Sequence, residues 1–159
     1  MDTTETFFTE IRNGNLEAIT TLMENNPNLS SAKDTRGSTP LILASYYNHV
    51  AIVDFLIAKK IAVDEKDSSG NTALMGVCFK GYTEIAKKLI DSGADVNHVN
   101  SMGATCLIYA ATFNRVDMAK ILLDHGADIT VKDARGSTAL DHAKTQESKS
   151  LIALLEKYA

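Results

Sequence analysis

The chain has 159 residues, 45% of them hydrophobic and 23% charged, with a formal net charge of −4. These values are ordinary for a folded soluble protein and argue against a general nucleic-acid or membrane-surface binder. No apolar run approaches the roughly 18 residues needed to cross a bilayer, and Met1-Asp2-Thr3-Thr4-Glu5 lacks the basic and apolar segments of a signal peptide, so a cytoplasmic protein is expected.

In chain order, a degenerate leading unit comes first, over residues 4–33. Phe7, Ile11, Ala18, Ile19, Leu22 and Met23 keep a helical apolar spacing there. From Asp34 onward the chain repeats. Gly37, Gly70, Gly103 and Gly136 stand 33 residues apart, with Thr39, Thr72, Thr105 and Thr138 two residues later. Leu41, Leu74, Leu107 and Leu140 follow two residues after those. A fixed period of this length marks a stack of small units sharing one continuous core. The units are 34–66, 67–99 and 100–132, closed by 133–159.

Each repeat opens with a turn: Asp34 to Gly37, Asp67 to Gly70, Asn100 to Gly103, Asp133 to Gly136. Asp or Asn bonds its own backbone there, and glycine takes the positive-φ position. The threonine is then a helix N-cap, with Pro40 at a first helical position where a missing N–H costs nothing. A short first helix carries the leucine and small residues, and a polar break follows at 48–49, 81–82, 114–115 and 147–148. The second helix shows one apolar face, as in Ile52, Val53, Leu56 and Ile57, with charges such as Lys87, Lys88 and Asp91 on the solvated side.

Gly93 and Gly126 are placed to end second helices in the left-handed conformation, and Lys60 takes that position in the first full repeat. A non-glycine there costs about 1 kcal/mol. Gly76 lies inside a helix and adds a similar cost. The interface between the repeats 34–66 and 67–99 is therefore the expected soft spot. A more polar last repeat, with Lys144, Gln146, Glu147, Lys149, Glu156 and Lys157, is suited to closing the stack against water.

Cys78 and Cys106 are the only cysteines. Their repeat positions differ by about five residues along equivalent helices, roughly 7.5 Å of rise. Added to the roughly 8–10 Å between packed helices, this predicts Cα atoms beyond the roughly 7 Å reach of a disulfide. Two small buried apolar residues are expected instead.

Thr39-Pro40-Leu41, the Asp-x-x-Gly-x-Thr turns, Ser92-Gly93-Ala94-Asp95-Val96-Asn97 and His125-Gly126-Ala127-Asp128 together resemble the ankyrin repeat. The resemblance covers nearly the whole chain. It implies an all-α solenoid of L-shaped units, each an antiparallel helix pair with a projecting β-hairpin loop, and a role in protein–protein binding. The family often has histidine after Thr-Pro-Leu. Here Ile42, Met75, Ile108 and Asp141 stand instead, so packing must replace the polar bridge that histidine supplies.

By position, the resemblance implies binding through the loop tips and first helices, which line a concave face. The partner-binding candidates are Arg36, Tyr46, Tyr47, Ser69, Asn71, Phe79, Lys80, Met102, Thr112, Phe113 and Arg135. Tyr46, Tyr47, Phe79 and Phe113 place large aromatics where the core does not need them, as interface anchors do. Arg36, Lys80 and Arg135, with Lys33, Lys66 and Lys132 before the turns, make that side locally basic. The matching partner is a protein segment with apolar anchors and some acidic residues. Self-association into a homo-oligomer is the alternative; a protein monomeric on its own is expected.

Nothing points to chemistry. There is no phosphate loop, dinucleotide fingerprint, nucleophile elbow or metal-binding Cys/His spacing. His49, His98, His125 and His142 occupy four different repeat positions. The chain is accordingly read as non-enzymatic, with no catalytic residue, no cofactor and no metal. Asn28-Leu29-Ser30 matches a glycosylation acceptor but lacks a secretory context.

Overall fold

A computed structural model describes residues 2–159; Met1, the first residue of the segment considered above for a signal peptide, lies outside them. Among the described residues the regular structure is wholly helical. Five antiparallel pairs follow one another: α1 (Thr3–Asn13) with α2 (Leu16–Asn25), α3 (Pro40–Tyr46) with α4 (Val50–Ala58), and α5 (Ala73–Lys80) with α6 (Thr83–Asp91). Then come α7 (Cys106–Thr112) with α8 (Val116–Asp124), and α9 (Ala139–Thr145) with α10 (Lys149–Lys157). A single 3-10 turn, Pro27–Ser31, leads from the first pair toward the second. The first helices α1, α3, α5, α7 and α9 pack in a row, and α4, α6, α8 and α10 form a second row behind. No helix among the described residues is long and apolar enough to cross a membrane.

The turns form as their residues dictate. Asp34 Oδ1 accepts from the Arg36 and Ser38 amides, both at 2.9 Å. Asp67, Asn100 and Asp133 do the same in their own turns. Thr39, Thr72, Thr105 and Thr138 then cap α3, α5, α7 and α9 through their hydroxyls. The loops are too short to form strands. They join one another by single rungs instead, from the Ser68 amide to the Arg36 carbonyl, Ser101 to Ser69, and Ala134 to Met102 (3.2, 3.1 and 2.9 Å). Gly37 is required twice over here. Its φ is +78°, and a Cβ would stand 2.9 Å from the Ser68 nitrogen.

The core runs unbroken along the stack. Leu41, Leu74 and Leu107 are each 1% exposed, and burying such a side chain contributes about 1.5–3 kcal/mol. Leu140, in the last pair with no following neighbour, is only half-buried. The exposed Lys144, Gln146, Glu147, Lys149, Glu156 and Lys157 present the water-compatible end that the stack needs. Ile42, Met75 and Ile108 are buried at the site of the family histidine, whereas Asp141 restores a polar link by accepting from the Thr138 amide at 2.9 Å.

Cys78 and Cys106 are free and buried. This is the expected pair of small buried residues rather than a disulfide. Burial, reinforced by the neighbouring Cys106 thiol, pushes the Cys78 thiol well above its ordinary pKa.

A further connection joins pair to pair. Near the end of a first helix, carbonyls lack helical partners, and a side chain of the next pair fills the need. His49 Nε2 donates to the Arg12 carbonyl (2.8 Å), Arg115 Nε and Nη2 to that of Phe79 (3.2 and 3.1 Å), and Gln146 Nε2 to that of Thr112 (2.7 Å). Between the second and third pairs the corresponding residue is Tyr82, and among the described residues no side chain of the third pair donates to the Tyr46 carbonyl. This is the interface expected to be soft on account of Lys60 and Gly76.

Candidate functional site

The loop tips and the exposed sides of the first helices enclose a groove of about 870 Å³. Arg36, Tyr46, Tyr47, Ser69, Asn71, Phe79 and Phe113 line it. Tyr46, Tyr47 and Phe113 are 39%, 45% and 41% exposed, large apolar areas left in water by residues at the end of short helices. Phe79 is half-buried, so it is partly a packing residue. Its ring meets Phe113 edge-on at 4.6 Å, and Phe113 in turn meets Tyr109 at 6.3 Å. Tyr46 and Tyr47 pack edge to face at 5.6 Å. The Lys80 ammonium sits 4.9 Å from the Tyr46 ring centre, a cation–π contact that holds this aromatic at the rim.

The remaining candidates lie outside the groove lining. Met102, 61% exposed, and Arg135 occupy loop tips farther along the row. Thr112 is engaged within the scaffold, its hydroxyl donating to the Ile108 carbonyl and its own carbonyl accepting from Gln146. The basic trend is thinner than the residue types suggest. Lys33 faces Glu65 at 3.9 Å and donates to the Lys66 carbonyl. Arg36 stays exposed without an ion pair among the described residues.

Arg12, Leu43, Gly76 and Tyr109 also line the groove and escaped the sequence reading. Arg12 belongs to the degenerate first pair, where no repeat register points to it; its guanidinium lies 3.8 Å from Asp34 Oδ2. Leu43, Gly76, Tyr109 and His142 share one repeat position, and a column comparison of that position could have found them. In two of the four, the side chain returns to its own turn. The Tyr109 hydroxyl accepts from Asn100 Nδ2 (2.8 Å) and donates to Asn71 Oδ1 (3.3 Å). His142 Nε2 donates to Asp133 Oδ2 (2.8 Å), which holds the Asp133 carboxyl below its usual pKa. Burial pushes the Tyr109 phenol up.

The other histidines are spread along the scaffold. His49 and His98 reach the Arg12 and Gly70 carbonyls, and His125 the Ile121 carbonyl of its own helix. No group of three or more potential metal ligands gathers among the described residues.

A search of curated proteins returned no match. The family model for ankyrin repeats matches three times, over residues 7–100, 59–133 and 76–159. Ankyrin repeats are generally protein–protein interaction modules. With overlapping matches running from residue 7 to residue 159, helix pairs in register and a turn of the expected chemistry opening each of the last four pairs, the chain belongs to the ankyrin repeat family.

Proposed function

We propose that this protein is a non-enzymatic adaptor or regulator that grips one partner protein in the groove between its loop tips and first helices. The observation that carries the reading is the exposure of Tyr46, Tyr47 and Phe113 around a single groove. Aromatics that the core leaves in water, ringed by polar loop groups, are the composition of interface hot spots. Arg36 and Lys80 beside them favour a segment combining apolar anchors with acidic residues. The protein acts as a monomer in the cytoplasm, a setting that two unpaired thiols suit.

The test is capture of partners from the native lysate by wild type and by a Tyr46→Ala/Phe79→Ala/Phe113→Ala variant. Capture should disappear while far-ultraviolet circular dichroism stays unchanged. Undiminished capture would place binding elsewhere. Light scattering at several concentrations separates this reading from self-association, which requires a mass that grows with concentration.

A further inference from the structure

The four turns differ in one respect that concerns the groove. Each turn residue uses Oδ1 for two backbone amides, leaving its second polar atom outside the turn's own hydrogen bonds. In three turns a side chain meets that atom: Arg12 lies 3.8 Å from Asp34 Oδ2, the Tyr109 hydroxyl accepts from Asn100 Nδ2, and His142 donates to Asp133 Oδ2. For Asn100 and Asp133 the partner comes from nine residues further along the chain. Nine residues after Asp67 comes Gly76, which has no side chain, and Asp67 Oδ2 has no partner among the described residues. Both residues line the groove.

The glycine is not forced by space. A Cβ at Gly76 would meet only Tyr46 Cδ2, at an ordinary 3.8 Å, and the backbone there is normal helix. Alanine would fit and favour the helix. What glycine provides is an opening in a row otherwise filled by Leu43, Tyr109 and His142. The groove it opens into is also lined by Tyr46, Phe79, Tyr109, Phe113 and Asp67.

We propose that this notch receives an arginine side chain of the partner protein, which meets Asp67 Oδ2 as the Arg12 ion pair meets Asp34 and the His142 hydrogen bond meets Asp133. The inference rests on the groove reading above and specifies one anchor of the bound segment. A carboxylate oxygen without a partner selects a cationic donor, and a planar guanidinium both bonds a carboxylate and stacks on aromatic faces. Lysine lacks the plane, and an apolar anchor would leave the carboxylate desolvated without a partner.

The probe is a displayed library of random twelve-residue peptides selected on the full chain. Three variants are then measured with the selected peptides. Asp67→Asn keeps the turn, because Asn100 closes the same turn in the next repeat. Gly76→Tyr places a phenol where Tyr109 has one, and Gly76→Ala leaves most of the opening. Arginine should dominate one peptide position. Affinity should fall at least tenfold in Asp67→Asn and in Gly76→Tyr, with Gly76→Ala far less affected and both glycine variants melting no lower than wild type. Failure to enrich arginine, or unchanged affinity in Asp67→Asn, overturns the proposal. If the same peptides lose binding only with Tyr46→Ala/Phe79→Ala/Phe113→Ala, the groove reading stands and the notch falls; if that variant also binds fully, both fall.

Discussion

The sharpest test of the energetics is Lys60→Gly. The α4, α6 and α8 helices all end in the same double-bonded left-handed turn. The residue after the cap has φ of +63° at Lys60, +96° at Gly93 and +87° at Gly126. Its amide donates to the carbonyl three residues back in each case, at 2.9, 3.0 and 3.2 Å for Lys60, Gly93 and Gly126. The next amide closes the outer bond to the carbonyl five residues back. That bond is 3.0 Å from Ala94 to Leu89 and 3.0 Å from Ala127 to Leu122, but 3.4 Å from Ile61 to Leu56. The lysine turn is the one that closes poorly.

Left-handed backbone costs a side-chain-bearing residue about 1–2 kcal/mol. Glycine removes that cost and adds back about 0.5–1 kcal/mol of unfolded-state entropy. Taking the middle of each range, the net gain for Lys60→Gly is about 0.75 kcal/mol, or about 1.5–3 °C in melting temperature for a domain of this size. Lys60 is exposed and has no hydrogen bond or ion pair through its side chain among the described residues, so nothing else is lost. Calorimetry reads the shift, and native-state hydrogen exchange reads its location. In wild type, α3 to α6 should exchange faster than α7 and α8, and the substitution should narrow the difference. A melting temperature that stays put or falls, or equal protection across these helices from the start, would refute the reasoning.

The remaining expectations concern single contacts. Ser45 is fully buried and its hydroxyl has no partner among the described residues, while Ala111 holds the same repeat position; Ser45→Ala should raise stability by about 1 kcal/mol in urea unfolding. Arg115→Ala should lower it by about 1 kcal/mol, since it removes two donors from the Phe79 carbonyl at a helix end, and Arg115→Lys should restore only part of the loss. Acid should loosen the C-terminal pairs first. The carboxyls of Asp124, Asp128, Asp133 and Asp141 are held below their usual range by the Tyr158 hydroxyl, the Thr130 hydroxyl, His142 and the Thr138 amide respectively. Folded values below the unfolded one mean that the stabilisation is present above about pH 4 and fades as pH falls through the depressed values. Exchange protection in α8 to α10 should therefore decline with acid through that window, and Asp133→Asn should flatten the decline.

The parts of this fold legible in the sequence are those where one residue type does one job at every step. Glycine at positive φ, threonine at the cap and leucine in the core recur because each unit meets the same neighbour in the same way. The connections between pairs were hidden because different residues do equivalent work. Histidine, arginine and glutamine all cap the carbonyls of a preceding first helix, and Gln146 does so from a position two residues earlier in the register than Arg115. Likewise Asn100 looked interchangeable with aspartate, since both close the turn. Only asparagine can also donate to Asn71 and Tyr109 (2.9 and 2.8 Å). The candidate aromatics were legible as large side chains off the core pattern. Gly76 was legible only as a cost.

That cost separates two kinds of selection acting on one helix. In a linear stack each pair is stabilised by its immediate neighbours, so the face turned away from those neighbours contributes little to folding. Residues there are free to be chosen for contact with something else. On α5 the inward residues Leu74, Met75, Val77 and Cys78 are fully buried or nearly so, as stability demands. The groove side of the same helix carries a glycine where alanine would fit and a phenylalanine left partly in water. Folding alone would favour filling that opening. A helix that meets every packing requirement on one side and forgoes an available gain on the other has the division of labour expected of a surface shaped for a partner.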